Sequence, residues 1–196
     1  MAGNIRITDP IGELISLAET KEYLRVSINT DDVLIADLIV AARERVEDFT
    51  NRAVMTQEWE SWLDGWPTGD NIVLSYPPLQ AVTDIKYYGT DDTEYTLDAS
   101  IYTVDTIATP GRVYLGYNQA WPITTLRPAK AIKITYWAGY LPAGAPRSIV
   151  QALLQIIGHF YENRETVVLG NWAVTTVPMT AEALLWPYRI FMKDSF

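Results

Sequence analysis

Residues 146–165 read PRSIVQALLQIIGHFYENRE. Two apolar series run through them: Ile149, Leu153, Ile156 and Phe160, and beside them Val150, Leu154, Ile157 and Tyr161. Both recur at 4, 3, 4 spacing, the period of an α-helix, here apolar over most of its circumference. Pro146 suits the first helical turn, where its missing N–H leaves no bond unmade. The polar remainder is a narrow band of Gln151, Gln155, His159 and Glu162. Such a helix is expected to be covered on two sides, as the core helix of its domain or against another chain.

A second long helix is predicted upstream, in DDVLIADLIVAARERVEDFTNRAV at 31–54. Ile35, Ile39, Ala42, Val46 and Phe49 form one apolar face, and Leu34, Leu38 and Ala41 add a second stripe at its start. Thr30 opens it, the Asp31 and Asp32 carboxylates sit at the positive end of the helix dipole, and Asn51 is a natural stop. Ser16 followed by Glu19 has capping-box spacing and predicts a short helix over 17–24. A last helix is expected from Thr180 to about Trp186, ahead of Pro187-Tyr188-Arg189.

Between 54 and 140 the period changes from helical to two. Pro77-Pro78, Gly89-Thr90-Asp91-Asp92, Pro110-Gly111 and Pro122 divide short alternating runs. Ile85 and Tyr87 face Tyr95 and Leu97 across a turn, as in a hairpin. Val113, Leu115 and Tyr117 alternate, as do Ile132, Ile134 and Tyr136. Trp59, Trp62 and Trp66 have helical spacing, but Gly65, Pro67 and their β-prone neighbours favour a strand. The expected fold class is α+β: a small helical bundle with an inserted antiparallel β-sheet region, either an open sheet or a small barrel. The helical parts are 1–53 and 141–196, completing one bundle, and the β insertion is 54–140. None of these short helices is stable alone, so each must pack on the others.

Composition removes several classes of function. The 196 residues contain no Cys and one His, which excludes disulfides, thiolate metal sites, cysteine nucleophiles and any pair of imidazoles within one chain. The formal charge is −9, with 7 Lys/Arg against 19 Asp/Glu in residues 1–100 and 8 against 5 in the remainder. An acidic chain is a poor match for a phosphate backbone, because that affinity comes from neutralising phosphates. The uneven charge suits neighbours stacked acidic side to less acidic side, and solvated acidic helix faces account for it equally. No secretory signal pattern opens the chain, and the longest apolar run is interrupted by Gln151, Gln155 and His159, so no membrane span is expected.

Catalytic motifs are missing: no phosphate-binding glycine loop, no HExxH and no GxSxG elbow occurs. His159 falls on the polar stripe of its helix, a surface or interface position. Capping and turn formation account for Asp31/Asp32 and Asp91/Asp92 without metal chemistry. No catalytic, cofactor or metal residue is expected, and the chain is expected not to be an enzyme.

Aromatic residues are the richest feature, with 7 Trp and 12 Tyr. Core packing is their ordinary use; one of Tyr136 and Trp137 should be core and the other surface. Interface anchoring is the alternative. The apolar, charge-poor loop 166–179 points to a contact surface. Tyr161, Arg164, Val168, Leu169 and Trp172, in and just ahead of this loop, are candidate contact residues, and they are the candidate subunit interface under the ring that the resemblance described below implies. A carbohydrate-binding or other aromatic-rich binding module is a further alternative, and it would require Trp59, Trp62 and Trp66 to form an exposed platform.

The order of segments carries a resemblance. LAETKEYLRV at 17–26, the 31–54 helix, YPPLQAVTDIKY at 76–87, the PGRV turn, ITYWAGY, FYENRE and ALLWPYR at 183–189 together resemble the tailed-phage head–tail connector family, the adaptor or head-completion proteins. The resemblance spans nearly the whole chain and implies a structural virion protein of the neck, made in the host cytoplasm. It implies a ring, typically dodecameric, beneath the portal protein, extending the DNA channel and offering a platform to stopper and tail proteins. DNA would pass through without sequence-specific binding, and a net negative conduit would not grip it. The 183–196 segment, with Leu184, Leu185, Trp186, Tyr188 and Arg189, is the candidate portal-docking element.

Overall fold

The computed structural model describes residues 3–163 and 179–191. The chain divides into two units that are each discontinuous in sequence: Met1–Ile11 with Met55–Tyr140, and Gly12–Val54 with Leu141–Phe196.

The helical unit contains α1 (Leu17–Leu24), α2 (Asp32–Thr50), α3 (Arg147–Glu162) and α4 (Met179–Leu185), the last followed by a 3-10 turn at Trp186–Tyr188. The capping box at α1 is present as expected: the Ser16 hydroxyl accepts from the Glu19 N–H, and the Glu19 carboxylate accepts from the Ser16 N–H at 2.9 Å. Asn51 ends α2 in the left-handed region at φ 53°, a conformation Asn tolerates well. Ile35, Ile39, Ala42 and Val46 of α2 and Ile149, Ala152, Leu153, Ile156 and Ile157 of α3 are buried and form the core. The two apolar series of α3 differ in depth: Val150, Leu154 and Tyr161 of the second are only half-buried, whereas in the first only Phe160, at its end, is.

One ionic cluster lies within this core. The Arg43 guanidinium donates through Nε to both Glu13 oxygens at 3.0 Å and through Nη1 to Glu47 at 3.0 Å. Glu47 also accepts the Val54 N–H at 2.8 Å. The charges are therefore paired and hydrogen-bonded, which burial requires.

The β unit has two sheets rather than one. Its strands are β1 (Asn4–Thr8), β2 (Gln57–Leu63), β3 (Asn71–Val73), β4 (Leu79–Tyr88), β5 (Glu94–Thr96), β6 (Tyr102–Asp105), β7 (Arg112–Leu115) and β8 (Ile132–Ala138). A five-stranded antiparallel sheet has the order β1-β2-β8-β4-β5, and a three-stranded one has β3-β7-β6. The expected hairpin is β4–β5, with Tyr87 opposite Tyr95. Strict alternation in β8 buries Ile132, Ile134, Tyr136 and Ala138, so Tyr136 is the core member of its pair and Trp137 lies on the other face. The two sheets come together closely at Gly111, where an added Cβ would fall 2.4 Å from the Leu79 side chain.

β1 was not expected. NIRIT is too short for its alternation to stand out, and residues 1–53 read as wholly helical. Its pairing partner, β2, is some fifty residues away in sequence.

Candidate functional site

The C-terminal segment folds back on the end of α2. The Ile190 N–H donates to the Thr50 carbonyl at 2.8 Å, one of the helix-end acceptors that lack a partner within the helix. Asn51 Nδ2 donates to the Ile190 carbonyl at 2.9 Å, and Arg52 Nε to the Tyr188 carbonyl. Leu185 and Ala181 are buried beneath this segment.

On this scaffold Arg189 stands among three rings. Its guanidinium carbon lies 5.1 Å from the Phe49 ring centroid, 5.3 Å from Phe191 and 5.6 Å from Trp186, within cation–π range. Phe49 and Trp186 are tilted at 6.5 Å, and Trp186 and Phe191 meet edge-on at 6.2 Å. Trp186 is 57% exposed and Phe191 69%. A preorganised Arg–Trp–Phe patch with half its ring area in solvent has the composition of an interface anchor, because such side chains deliver much contact area for little lost freedom.

The structure divides the candidate residues. Trp186, Tyr188 and Arg189 gather at the patch, and Leu184 is half-buried beside it. Leu185 is a correction: at 1% exposure it belongs to the core and supports the patch without being offered to a partner. Tyr161 is engaged internally, its hydroxyl donating to Asp31 Oδ2 at 2.6 Å. Arg164, Val168, Leu169 and Trp172, with most of loop 166–179, lie outside the described residues. Phe49, Arg52 and Phe191 are members that sequence reasoning missed. The periodicity of α2 puts Phe49 on its core face, and only the folding back of the last residues shows its outer use.

The Trp59, Trp62 and Trp66 platform does not form. A spacing of three along a strand puts Trp59 and Trp62 on opposite faces of the sheet. Trp59 stacks on Tyr76 at 3.9 Å, Trp62 on Tyr88 at 6.1 Å, and Trp66 on Trp121 at 4.8 Å, and all three are half-buried. Arg127 lies 4.1 Å above the Tyr88 ring. Burial, then the hydrogen bond to Glu94, pushes the Tyr88 phenol up to about 12. Among the described residues no cluster of His, Cys, Asp or Glu is arranged to hold a metal, and no helix is long and apolar enough to cross a membrane.

The chain belongs to the head completion protein family, whose model matches residues 13–191. It is also similar in fold to chains in three solved assemblies of gene transfer agent particles. One is the neck of an empty particle computed with C6 symmetry, at TM-score 0.79, 19% identity and 98% coverage of both chains. Another is the virion of the native particle, at TM-score 0.79, 18% identity and 98% coverage of both. The third is the neck of the native particle computed with C12 symmetry, at TM-score 0.70, 17% identity and coverage of 97% and 98%. A search of curated proteins returns no match.

Proposed function

We infer that this protein is a structural head–tail adaptor, resident in the neck of a phage or phage-like particle, and that it has no catalytic role. The observation that carries this is the family match over 13–191, which takes in nearly all of both units. Copies would close into a ring, dodecameric in the particle, below the portal. They would extend the DNA channel and present a platform to stopper and tail proteins. The C12 and C6 symmetry of the similar necks supports a ring of this order. A charge of −9 supports a conduit past which DNA slides without being held.

Portal docking is assigned to the patch of Trp186, Tyr188, Arg189 and Phe191 with Leu184 beside it. Tyr161, Arg164, Val168, Leu169 and Trp172 are assigned to contacts between subunits. Negative-stain microscopy of the purified chain with and without its portal protein tests the assignment. Rings stacked on portal are the expected result; a chain that never joins the portal overturns it.

A further inference from the structure

Arg189 is a cation with no anion beside it. Among the described residues no carboxylate lies within ion-pair distance of its guanidinium, and none of its side-chain nitrogens donates to an acceptor. Three other part-buried cations each have a carboxylate: Lys21 pairs with Asp32, Arg127 with Asp92 and Lys133 with Glu60. Charged donors that leave water are ordinarily paired in this way, because the lost hydration has to be replaced.

The three nitrogens differ in access. Nε is buried, whereas Nη1 and Nη2 reach the surface. The rings of Phe49, Trp186 and Phe191 stand around the group. Their π-electron density holds a cation in place but accepts only weak bonds from its N–H groups. The backbone beneath is fixed as well. The Arg189 N–H donates to the Trp186 carbonyl at 3.2 Å, and the residues on either side are bonded to residues 50–52 at the end of α2. The guanidinium is thus held still and partly out of water, with two forked donors facing outward and no acceptor to receive them.

We propose that the portal segment received by this patch presents a carboxylate, an Asp or Glu flanked by apolar residues, whose two oxygens accept from Nη1 and Nη2 of Arg189. The inference rests on the portal-docking reading and adds the partner's chemistry to it. The closed Nε rules out a side-on approach through Nε and one Nη, which leaves the end-on fork. A guanidinium already drawn partly out of water gives up little further hydration on pairing, so the bond counts for more than at an open surface. Apolar flanks are required because Trp186 and Phe191 offer ring area on both sides of the charge. Phosphate is the poorer match among anions. A nucleic-acid backbone is held by several cations acting together. Residues 179–191 hold one Arg and no Lys, and neighbouring Arg52 is engaged by the Tyr188 carbonyl.

The test measures binding of the full chain to its portal protein over a series of salt concentrations. Arg189→Gln keeps the melting temperature, since the free chain has no ion pair there to lose. Its portal affinity is expected to fall about 30-fold or more, with a flatter salt dependence than the unaltered chain. Arg189→Lys places an amine at the same point. Bound at saturating portal concentration and treated with a carbodiimide, it is expected to form an amide with a portal Asp or Glu, read by mass spectrometry of the joined peptides. Portal affinity unchanged in Arg189→Gln but weakened in Trp186→Ala overturns the carboxylate and leaves the docking reading standing. Affinity unchanged in both overturns both. A residue-189 amide joined to a second copy of this chain, with none to the portal, overturns the portal as the source of the acid. Loss of binding to a short DNA duplex in Arg189→Gln, with portal affinity intact, gives the cation to phosphate and overturns the proposal as well.

Discussion

Gly139 shows how little freedom some single positions have. Its φ is +120°, and an added Cβ would sit 2.0 Å from the Met55 carbonyl oxygen, so a side chain there meets backbone that cannot move aside. Its N–H also donates to the Pro78 carbonyl at 2.8 Å. Gly139→Ala is expected to destabilise the protein by about 3 kcal/mol or more, read as a fall in the urea midpoint. Arg43 is the comparable position in the helical unit. Arg43→Ala strands the buried Glu47 carboxylate and is expected to cost about 3–5 kcal/mol, whereas a charge on the solvent side of α2 such as Asp37 should be replaceable at little cost. Tyr88 offers a spectroscopic check. Its raised phenol favours the neutral form in the folded state, so its contribution to stability is complete below pH 10 and is lost as pH rises toward about 12. The difference in ultraviolet titration between the protein and Tyr88→Phe should show a phenol ionising near 12; a difference centred near 10 would remove the burial and the Glu94 bond as its causes.

Helices were legible where the signal was local. The Ser16–Glu19 box and the 4, 3 periodicity of α2 and α3 act over a few residues, so sequence spacing alone reveals them. The Glu19 carboxyl is held below its ordinary value, first by the Ser16 backbone N–H and then by the Ser16 hydroxyl. A depressed carboxyl stabilises the fold above its unfolded value near 4.5 and loses that contribution as pH falls below it. Ser16→Ala should therefore cost about 1 kcal/mol at neutral pH, and the deficit should shrink in acid, as followed by helical circular dichroism. Strand β1 and the folding back of residues 188–190 onto Thr50, Asn51 and Arg52 were not legible. Both depend on partners that lie far along the chain, and five alternating residues or a Pro-Tyr-Arg run can end in many surroundings. The same limit hid the full aromatic patch: Trp186 and Arg189 could be picked out by residue type, whereas Phe49 and Phe191 join it only by proximity.

For the whole molecule the location of Leu185 changes what a deletion means. Removing residues from Ala183 onward would strip the buried Leu185 side chain from the helical core, so a loss of portal binding by the truncated chain would not separate docking from folding. Point substitutions separate them. Leu185→Ala is expected to cost about 2–5 kcal/mol of folding stability, measured by thermal or urea unfolding. Trp186→Ala should leave the melting temperature nearly unchanged and weaken portal binding by about 2 kcal/mol; an unaltered affinity would take the patch out of the docking contact.

The two units are threaded by a chain that passes between them three times, after Ile11, Val54 and Tyr140. Mechanically this is a triple tether. A protease nick between Val54 and Met55 leaves two fragments, each still running through both units by one of the remaining passages. A pull that separates the units must therefore strain several covalent paths at once, so no single cut lets them drift apart.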